Sequence, residues 1–388
     1  MQVAKRIQEV TPSQTLAIDA KAKQLKAAGE DVLSFAAGEP DFDTPEHIKA
    51  AAMGALEAGF TKYTPSSGIP ELRQAIADKL KEDNGLDYKP SQIIVNCGAK
   101  HSCFNAMMAV LNEGDEVLIP APYWLSYPEM VRIAGGEPYI VPTTAESGYK
   151  LTPELFRENI SPGTKMVILN SPGNPTGSVY TEAELVELAE IALEEEIYIL
   201  RDEIYEKIIY GYSKAVSIAS FSKGIYDMTL TVNGFSKAYA MTGWRLGYVA
   251  APEHIAAAID SLQSHSTSHP TSFAQKGALA ALRGPQDCVV HMRDEFDKRR
   301  QRMVELLRGI SGVKVTEPQG AFYVLPDISQ FRLGSQEFAE KLLEKHKVAV
   351  VPGIAFGDDN TVRLSYAASL EQIESGLERF SRFCQSLK

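Results

Sequence analysis

The stretch Val232–Ala250 reads VNGFSKAYAMTGWRLGYVA. It opens on the end of an apolar run from Thr229 to Asn233, which reads as a strand, and Gly234 is expected to make a tight turn after it. Lys237 follows in a Ser-Lys-Ala-Tyr context, and Arg245 stands eight residues further on, inside Gly243-Trp244-Arg245-Leu246-Gly247. A lysine forms a Schiff base with an aldehyde when burial or nearby positive charge lowers its pKa. An arginine one short loop away can clamp a phosphate in a fork. A phosphorylated aldehyde with an electron-accepting ring needs both, and pyridoxal 5'-phosphate is such a cofactor. The alternative is an ordinary buried loop, with Lys237 solvated and Arg245 in a structural ion pair.

Working outward, the same unit of a short apolar run, a turn and a helical pattern recurs. Gln92–Asn96 (QIIVN) runs into Cys97-Gly98-Ala99-Lys100 and then a helix from His101 to Leu111. Such a turn points free backbone N–H groups at an anion. Glu116–Ile119 is a strand ending at Pro120-Ala121-Pro122-Tyr123-Trp124, and Met166–Asn170 ends at SPGNPTG, Ser171–Gly177. Thr181 with Glu184 makes a capping box for a helix to Glu195. Tyr198–Leu200 is a strand leading to Arg201-Asp202-Glu203-Ile204-Tyr205, and Tyr248–Ala250 is a further short strand. Alternating strands and helices argue for an open α/β sheet, in which ligands gather at the carboxyl ends of the strands. Gly98, Trp124, Asn174, Asp202, Tyr205 and Lys237 all follow expected strands.

Nearer the N-terminus, Met1–Pro12 reads as an exposed arm, Ser13–Gly29 and Pro45–Gly59 as helices, and Val32–Phe35 as a short strand. A helix is expected up to Asn84 after Ser67-Gly68-Ile69-Pro70. Beyond Gly284-Pro285 the pattern changes to a long charged helix, Gln286–Gly309. Strands are then expected at Val313–Thr316, Ala321–Leu325, Val348–Val351 and Thr361–Ser365, with helices at Ser335–His346 and Leu370–Leu387. This divides the chain into an arm (1–12), a discontinuous smaller α+β domain (13–44 plus 290–388) and a large domain (45–289).

The 388 residues are enough for two or three lobes with sizeable cores. A formal net charge of −11 argues against nucleic acid or an anionic membrane as the main partner. The four cysteines show no paired spacing and read as free thiols of a reducing compartment. No run is long enough to span a bilayer and no signal-peptide core is seen, so the cytoplasm is the expected location. The seven histidines show no ligand spacing, and no metal is expected.

The chemistry assigns roles. A buried carboxylate keeps a pyridine nitrogen protonated, and Asp202 is the candidate; the alternative is a helix-capping aspartate in a surface turn. Tyr205 and Asn174 could hydrogen-bond the ring's 3-oxygen, and Trp124 could stack on the ring or belong to the core. The phosphate would take the N–H groups of Ala99 and Lys100, together with Ser236 and Arg245, with Tyr63 reaching over from a second subunit. Arg363, between Val362 and Leu364, is either a surface arginine or a buried one that needs an anion, and the α-carboxylate of an amino acid is that anion. Freed Lys237 would act as the general base at the amino-acid Cα.

These residues stand in segments that resemble the class I aminotransferases dependent on pyridoxal phosphate, over nearly the whole chain. The matching segments are SFAAGEPD (Ser34–Asp41), KYTPSSGIPELR (Lys62–Arg73), PYWLSYPEM (Pro122–Met130), NSPGNPTG (Asn170–Gly177), DEIY (Asp202–Tyr205), FSKAYAMTGWRLGY (Phe235–Tyr248), GAFYV (Gly320–Val324) and VPG (Val351–Gly353) with VRLSY (Val362–Tyr366). The chain looks most like the bacterial aspartate aminotransferase subgroup, whose relatives include aromatic and prephenate aminotransferases. The resemblance implies the fold type I architecture, Lys237 as the Schiff-base lysine, Asp202 at the pyridine nitrogen and Arg245 on the phosphate. It also implies Gly38, Trp124, Asn174 and Arg363 around the substrate, and a homodimer that lends Tyr63 between subunits. Where many relatives carry a serine on the phosphate, three residues before the lysine, this chain has Gly234.

For the substrate, the resemblance implies that Lys100, with Ser13 and Thr15 nearby, reads a distal carboxylate, favouring aspartate and glutamate. Tyrosine, phenylalanine and prephenate stay open, since a lysine can swing aside for a ring. His265, Ser266, His269 and Thr271 fall in a loop that either reaches a neighbouring site or lies on the surface. The amino acceptor expected is 2-oxoglutarate, in a ping-pong reaction. Competing readings are a carbon–sulfur β-lyase or racemase on the same fold, and a non-enzymatic ligand sensor, for which the N-terminal arm is too short to hold a DNA-binding domain.

Overall fold

The computed structural model describes residues 3–8, 10–11, 14–211, 213 and 215–387. Seven strands build the central sheet: β1 Ile93–Asn96, β2 Glu116–Ala121, β3 Glu137–Pro142, β4 Thr164–Asn170, β5 Tyr198–Asp202, β6 Thr229–Gly234 and β7 Gly247–Ala250. Their order is β1-β7-β6-β5-β4-β2-β3. All neighbours run parallel except β7, which is antiparallel to both β1 and β6. Every residue of β1, β6 and β7 is buried, as a sheet covered by helices on both faces requires. Edge strand β3 shows the alternating burial of a half-solvated strand.

Each face has its own core. Ile94, Met107, Ile119, Ile168 and Val232 pack on one side, and Leu118, Val167, Leu169, Leu185 and Ile199 on the other. Full burial of one such side chain contributes about 1.5–3 kcal/mol. The helix Glu182–Glu194 starts with the expected box, Thr181 accepting from the Glu184 N–H while Glu184 accepts from the Thr181 N–H.

A separate core gathers Phe296, Phe322, Phe338, Leu364 and Phe380, beside a three-stranded antiparallel sheet of β8 Tyr323–Val324, β9 Val351–Pro352 and β10 Val362–Ser365. Long helices Asp287–Arg308 and Leu370–Ser386 pack together here. Arg363 lies opposite Val351, and Ser365 opposite Tyr323.

Three expectations are corrected. Val348–Val351 is not one strand: Val348–Ala349 pairs in parallel with Leu33–Ser34, and Val351–Pro352 turns to pair with β10. Val313–Thr316 makes only an isolated bridge, Lys314 to Asp327. Gly234 is the last residue of β6 rather than a turn. A Cβ there would stand 2.9 Å from Gly247 Cα and 3.1 Å from Leu246 O, so the close pairing of β6 and β7 needs glycine. Strand β3 and the helix Ser126–Ile133 were not singled out, although the helix carries part of the site. Among the described residues, no helix is long and apolar enough to cross a membrane.

Candidate active site

The carboxyl ends of β2, β4, β5 and β6, the start of the helix Ala99–Val110 and the segment Ala36–Glu39 surround one cavity of about 570 Å³. Ala99, Lys100, Trp124, Asn174, Asp202, Tyr205, Ser236, Lys237, Arg245, Gly38 and Arg363 all line it.

At one end, β7 presses against the start of the helix Ala99–Val110. A Cβ on Gly247 would meet Ala99 N at 2.3 Å, and one on Gly98 (φ +92°) would meet Arg245 Nη2 at 2.5 Å. Arg245 donates to two carbonyls, Thr242 O at 2.8 Å and Cys97 O at 3.3 Å. Among the described residues it makes no ion pair with a carboxylate. A guanidinium beside unpaired helix N–H groups, on a backbone that only glycine opens, is an anion cradle.

In the middle, Asp202 is the last residue of β5 and 3% exposed, which rules out a surface turn. Its Oδ2 accepts from Tyr127 Oη at 2.7 Å, with Cys103 Sγ at 3.9 Å, and its Oδ1 accepts from Ile204 N at 3.1 Å. Burial pushes its pKa up, while these donors and Arg201 pull it down. Trp124 meets Tyr127 edge-on at 5.2 Å, and Lys100 Nζ lies 5.0 Å from the Trp124 ring centre. Burial and then Arg245 lower the pKa of Lys100.

Lys237 Nζ donates to Gly38 O at 2.5 Å. Burial lowers its pKa to about 8; Arg363 and Arg245 add to this while Glu39 and Asp202 oppose it. A share of the amine is therefore neutral, and nucleophilic, near neutral pH.

At the far end, Arg363 is 2% exposed. Its Nη1 donates to Asn174 Oδ1 at 3.0 Å and its Nη2 to Ala36 O at 2.9 Å, while its Nε is buried without a hydrogen-bond partner. The guanidinium lies 4.4 Å from the Tyr323 ring centre and 5.1 Å from that of Phe356. A buried guanidinium held by neutral groups, with a donor to spare, is a receptor for a carboxylate. Asn174 is fixed in turn, its N–H donating to Asn170 Oδ1 at 2.9 Å while Asn170 Nδ2 donates to Asp202 O at 3.1 Å.

Tyr63 is the expected residue that the cavity of this chain does not include. It is 88% exposed and meets His269 edge-on at 5.6 Å. Ser13 lies outside the described residues, and so does the side chain of Thr15, which is placed only as part of the helix Gln14–Ala27. Tyr323, Tyr127, Cys103 and Asn170 were missed as site residues. Tyr127 had a faint signal, three residues after Trp124 in PYWLSYPEM, and Tyr323 another, in GAFYV. Among the described residues, no cluster of side chains could hold a metal ion.

The model of the family "Aminotransferase class I and II" matches residues 30–380. The chain is 50% identical over 386 residues to an aspartate aminotransferase of Bacillus sp. (strain YM-2), covering 98% of both chains. It is 52% identical over 390 residues to a probable aspartate/prephenate aminotransferase of Aquifex aeolicus, covering 99% of both. The structure of the Thermus thermophilus aspartate aminotransferase with maleate superimposes with a TM-score of 0.95, at 45% identity over 99% of this chain and 100% of that one.

Proposed function

The chain belongs to the class I and II aminotransferases, and from that premise we propose that it moves the amino group of aspartate to 2-oxoglutarate, using pyridoxal 5'-phosphate. The observation that carries this reading is Arg363, a buried guanidinium without a carboxylate partner among the described residues, in the same cavity as an amine of pKa about 8. The residues fit the cofactor. The Gly98–Arg245 cradle suits its phosphate, buried Asp202 its ring nitrogen, Tyr205 and Asn174 its ring oxygen, and Trp124 its face. When bound, the cofactor supplies an aldehyde carbon that captures amines and a protonated ring that accepts the electron pair left at Cα.

The residues of this chain do the rest. Arg363 and Asn174 hold the α-carboxylate, which fixes the bond at Cα to be broken. Lys237 Nζ takes the proton from the donor's Cα and later returns one to the Cα of the incoming oxo acid. Asp202, held in place by the Tyr127 and Ile204 donors, is the carboxyl group that shares a proton with the ring nitrogen. Lys100, over Trp124, meets the distal carboxylate, with Ser13 and Thr15 as its proposed helpers. Residues 13–44 plus 290–388 form the domain that closes on 45–289, and a homodimer supplies the exposed Tyr63 to the partner's phosphate end.

The test is the absorbance change of cofactor-loaded protein mixed separately with aspartate, glutamate, tyrosine and phenylalanine. Aspartate and glutamate are expected to convert the cofactor much faster than the aromatic amino acids. Equal or faster conversion by tyrosine would make the pocket dual or aromatic and overturn the preference for aspartate. A second reading, amino transfer to prephenate, is favoured by the name of the Aquifex aeolicus relative at 52% identity. It is read by the same assay run in reverse with prephenate as the acceptor.

A further inference from the structure

Tyr323 stands at the meeting point of the groups that hold the two ligands. Its ring lies 4.4 Å beneath the Arg363 guanidinium, and its hydroxyl is 2.9 Å from that of Tyr205. The hydroxyl also fills the space over Gly38, where a Cβ would come within 3.3 Å of it. Gly38 O in turn receives the Lys237 amine. Tyr323 is 1% exposed and Tyr205 4%, and both line the cavity. Burial raises the pKa of both, and both hydroxyls stay protonated.

Proton counting then orients the pair. Each hydroxyl carries one proton, and the contact between the two oxygens uses only one of them. Among the described residues, the one hydrogen bond of the Tyr323 hydroxyl is to Tyr205. If Tyr205 spent its proton on Tyr323, it would have none for the cavity. If Tyr323 donates, the Tyr205 proton is free to point into the cavity, and the donation strengthens it as a donor.

We propose that Tyr323 is a positioning residue, whose hydroxyl donates to Tyr205 and so directs the Tyr205 proton at the ring oxygen of the cofactor. This rests on the placement of pyridoxal phosphate proposed above. Because the same ring supports Arg363, one side chain ties the carboxylate site to the electronic state of the cofactor. The substitution Tyr323→Phe separates the roles, since it keeps the ring and removes the hydroxyl.

A donor at the ring oxygen favours the deprotonated form of the bound cofactor. Its weakening should raise the pH midpoint of the cofactor's visible absorbance change, by about half to one pH unit. The expected result for cofactor-loaded Tyr323→Phe is that shift, a fall in kcat of roughly 3–10-fold and an aspartate KM within about twofold. In a Tyr205→Phe background the second substitution should shift the midpoint no further. An unchanged midpoint with unchanged kcat overturns the proposal. So does a raised KM at constant kcat, which would leave Tyr323 serving Arg363 alone, and so does an additive shift in the double variant. The midpoint is read without substrate. Wild-type protein that took up the cofactor but was converted by no amino acid would therefore count against the aminotransferase reaction, while the midpoint still decided the relay.

Discussion

Arg363 and Asn174 are 189 residues apart in the chain, yet Arg363 Nη1 donates to Asn174 Oδ1 at 3.0 Å. One belongs to β10, in the sheet beside the second core, and the other follows β4 of the central sheet. The bond aims the guanidinium before any carboxylate arrives, so the donor geometry is paid for in folding rather than in binding.

Removing the guanidinium should therefore affect binding of the amino acid more than binding of the cofactor. For Arg363→Ala, we expect the half-saturating aspartate concentration to rise about 100-fold or more, as for loss of a buried charged pair. Cofactor affinity should change by less than about threefold, since Arg245 and Asp202 are untouched. Stopped-flow absorbance against aspartate concentration measures the first and fluorescence titration of the apoprotein the second. An unchanged aspartate dependence would remove Arg363 from the substrate site.

Lys237 gives a pH dependence of definite sign. In the folded apoprotein its amine has a pKa of about 8, against an ordinary value of 10.5. Between these values the unfolded chain binds more protons than the folded one, so the contribution of this residue to stability rises with pH across that window. Below about pH 8 burial of the charged amine is a constant cost. Lys237→Met apoprotein should accordingly melt above wild type at pH 7, with the gap closing toward pH 10. The rate at which wild-type apoprotein takes up pyridoxal phosphate should climb through about pH 8 and then level off. A profile flat from pH 6.5 to 9.5 would mean that the amine is not the titrating group.

The positions that the sequence made legible are those set by local pattern. Lys237, Asp202 and Asn174 stand at or just after strand ends, and an apolar run followed by a turn is enough to place them there. Arg363 was legible because its apolar neighbours implied burial. Tyr323 and Tyr127 were not, because their roles depend on which distant element each one meets. Tyr323 reaches Tyr205 across 118 residues, and Tyr127 reaches Asp202 across 75. The split of Val348–Val351 between two sheets has the same origin, since two partners distant in the chain compete for one segment. Gly234 reads as a turn or a missing phosphate ligand until the backbone of Gly247 is seen against it.

The anion cradle makes the last prediction, and it isolates the phosphate end from the rest of the cavity. Gly98 has φ +92°, where a side chain is strained, and a Cβ there would stand 2.5 Å from Arg245 Nη2 and 3.0 Å from its Cζ. The methyl group of Gly98→Ala must therefore push the guanidinium off the helix start. Lys237, Asp202 and Arg363 keep their partners in this variant, because none of them contacts Arg245 through a hydrogen bond. Losing one charge-assisted clamp corresponds to about 1.5–3 kcal/mol, roughly 10–100-fold in cofactor affinity. The backbone strain adds about 1–2 kcal/mol to the cost in stability. Pyridoxal without its phosphate supplies the control. Its uptake by Gly98→Ala should match that of wild type within about threefold, while uptake of pyridoxal phosphate falls. Equal loss for both compounds would place the damage in the fold, and no loss for either would mean that the phosphate does not sit between Gly98 and Arg245.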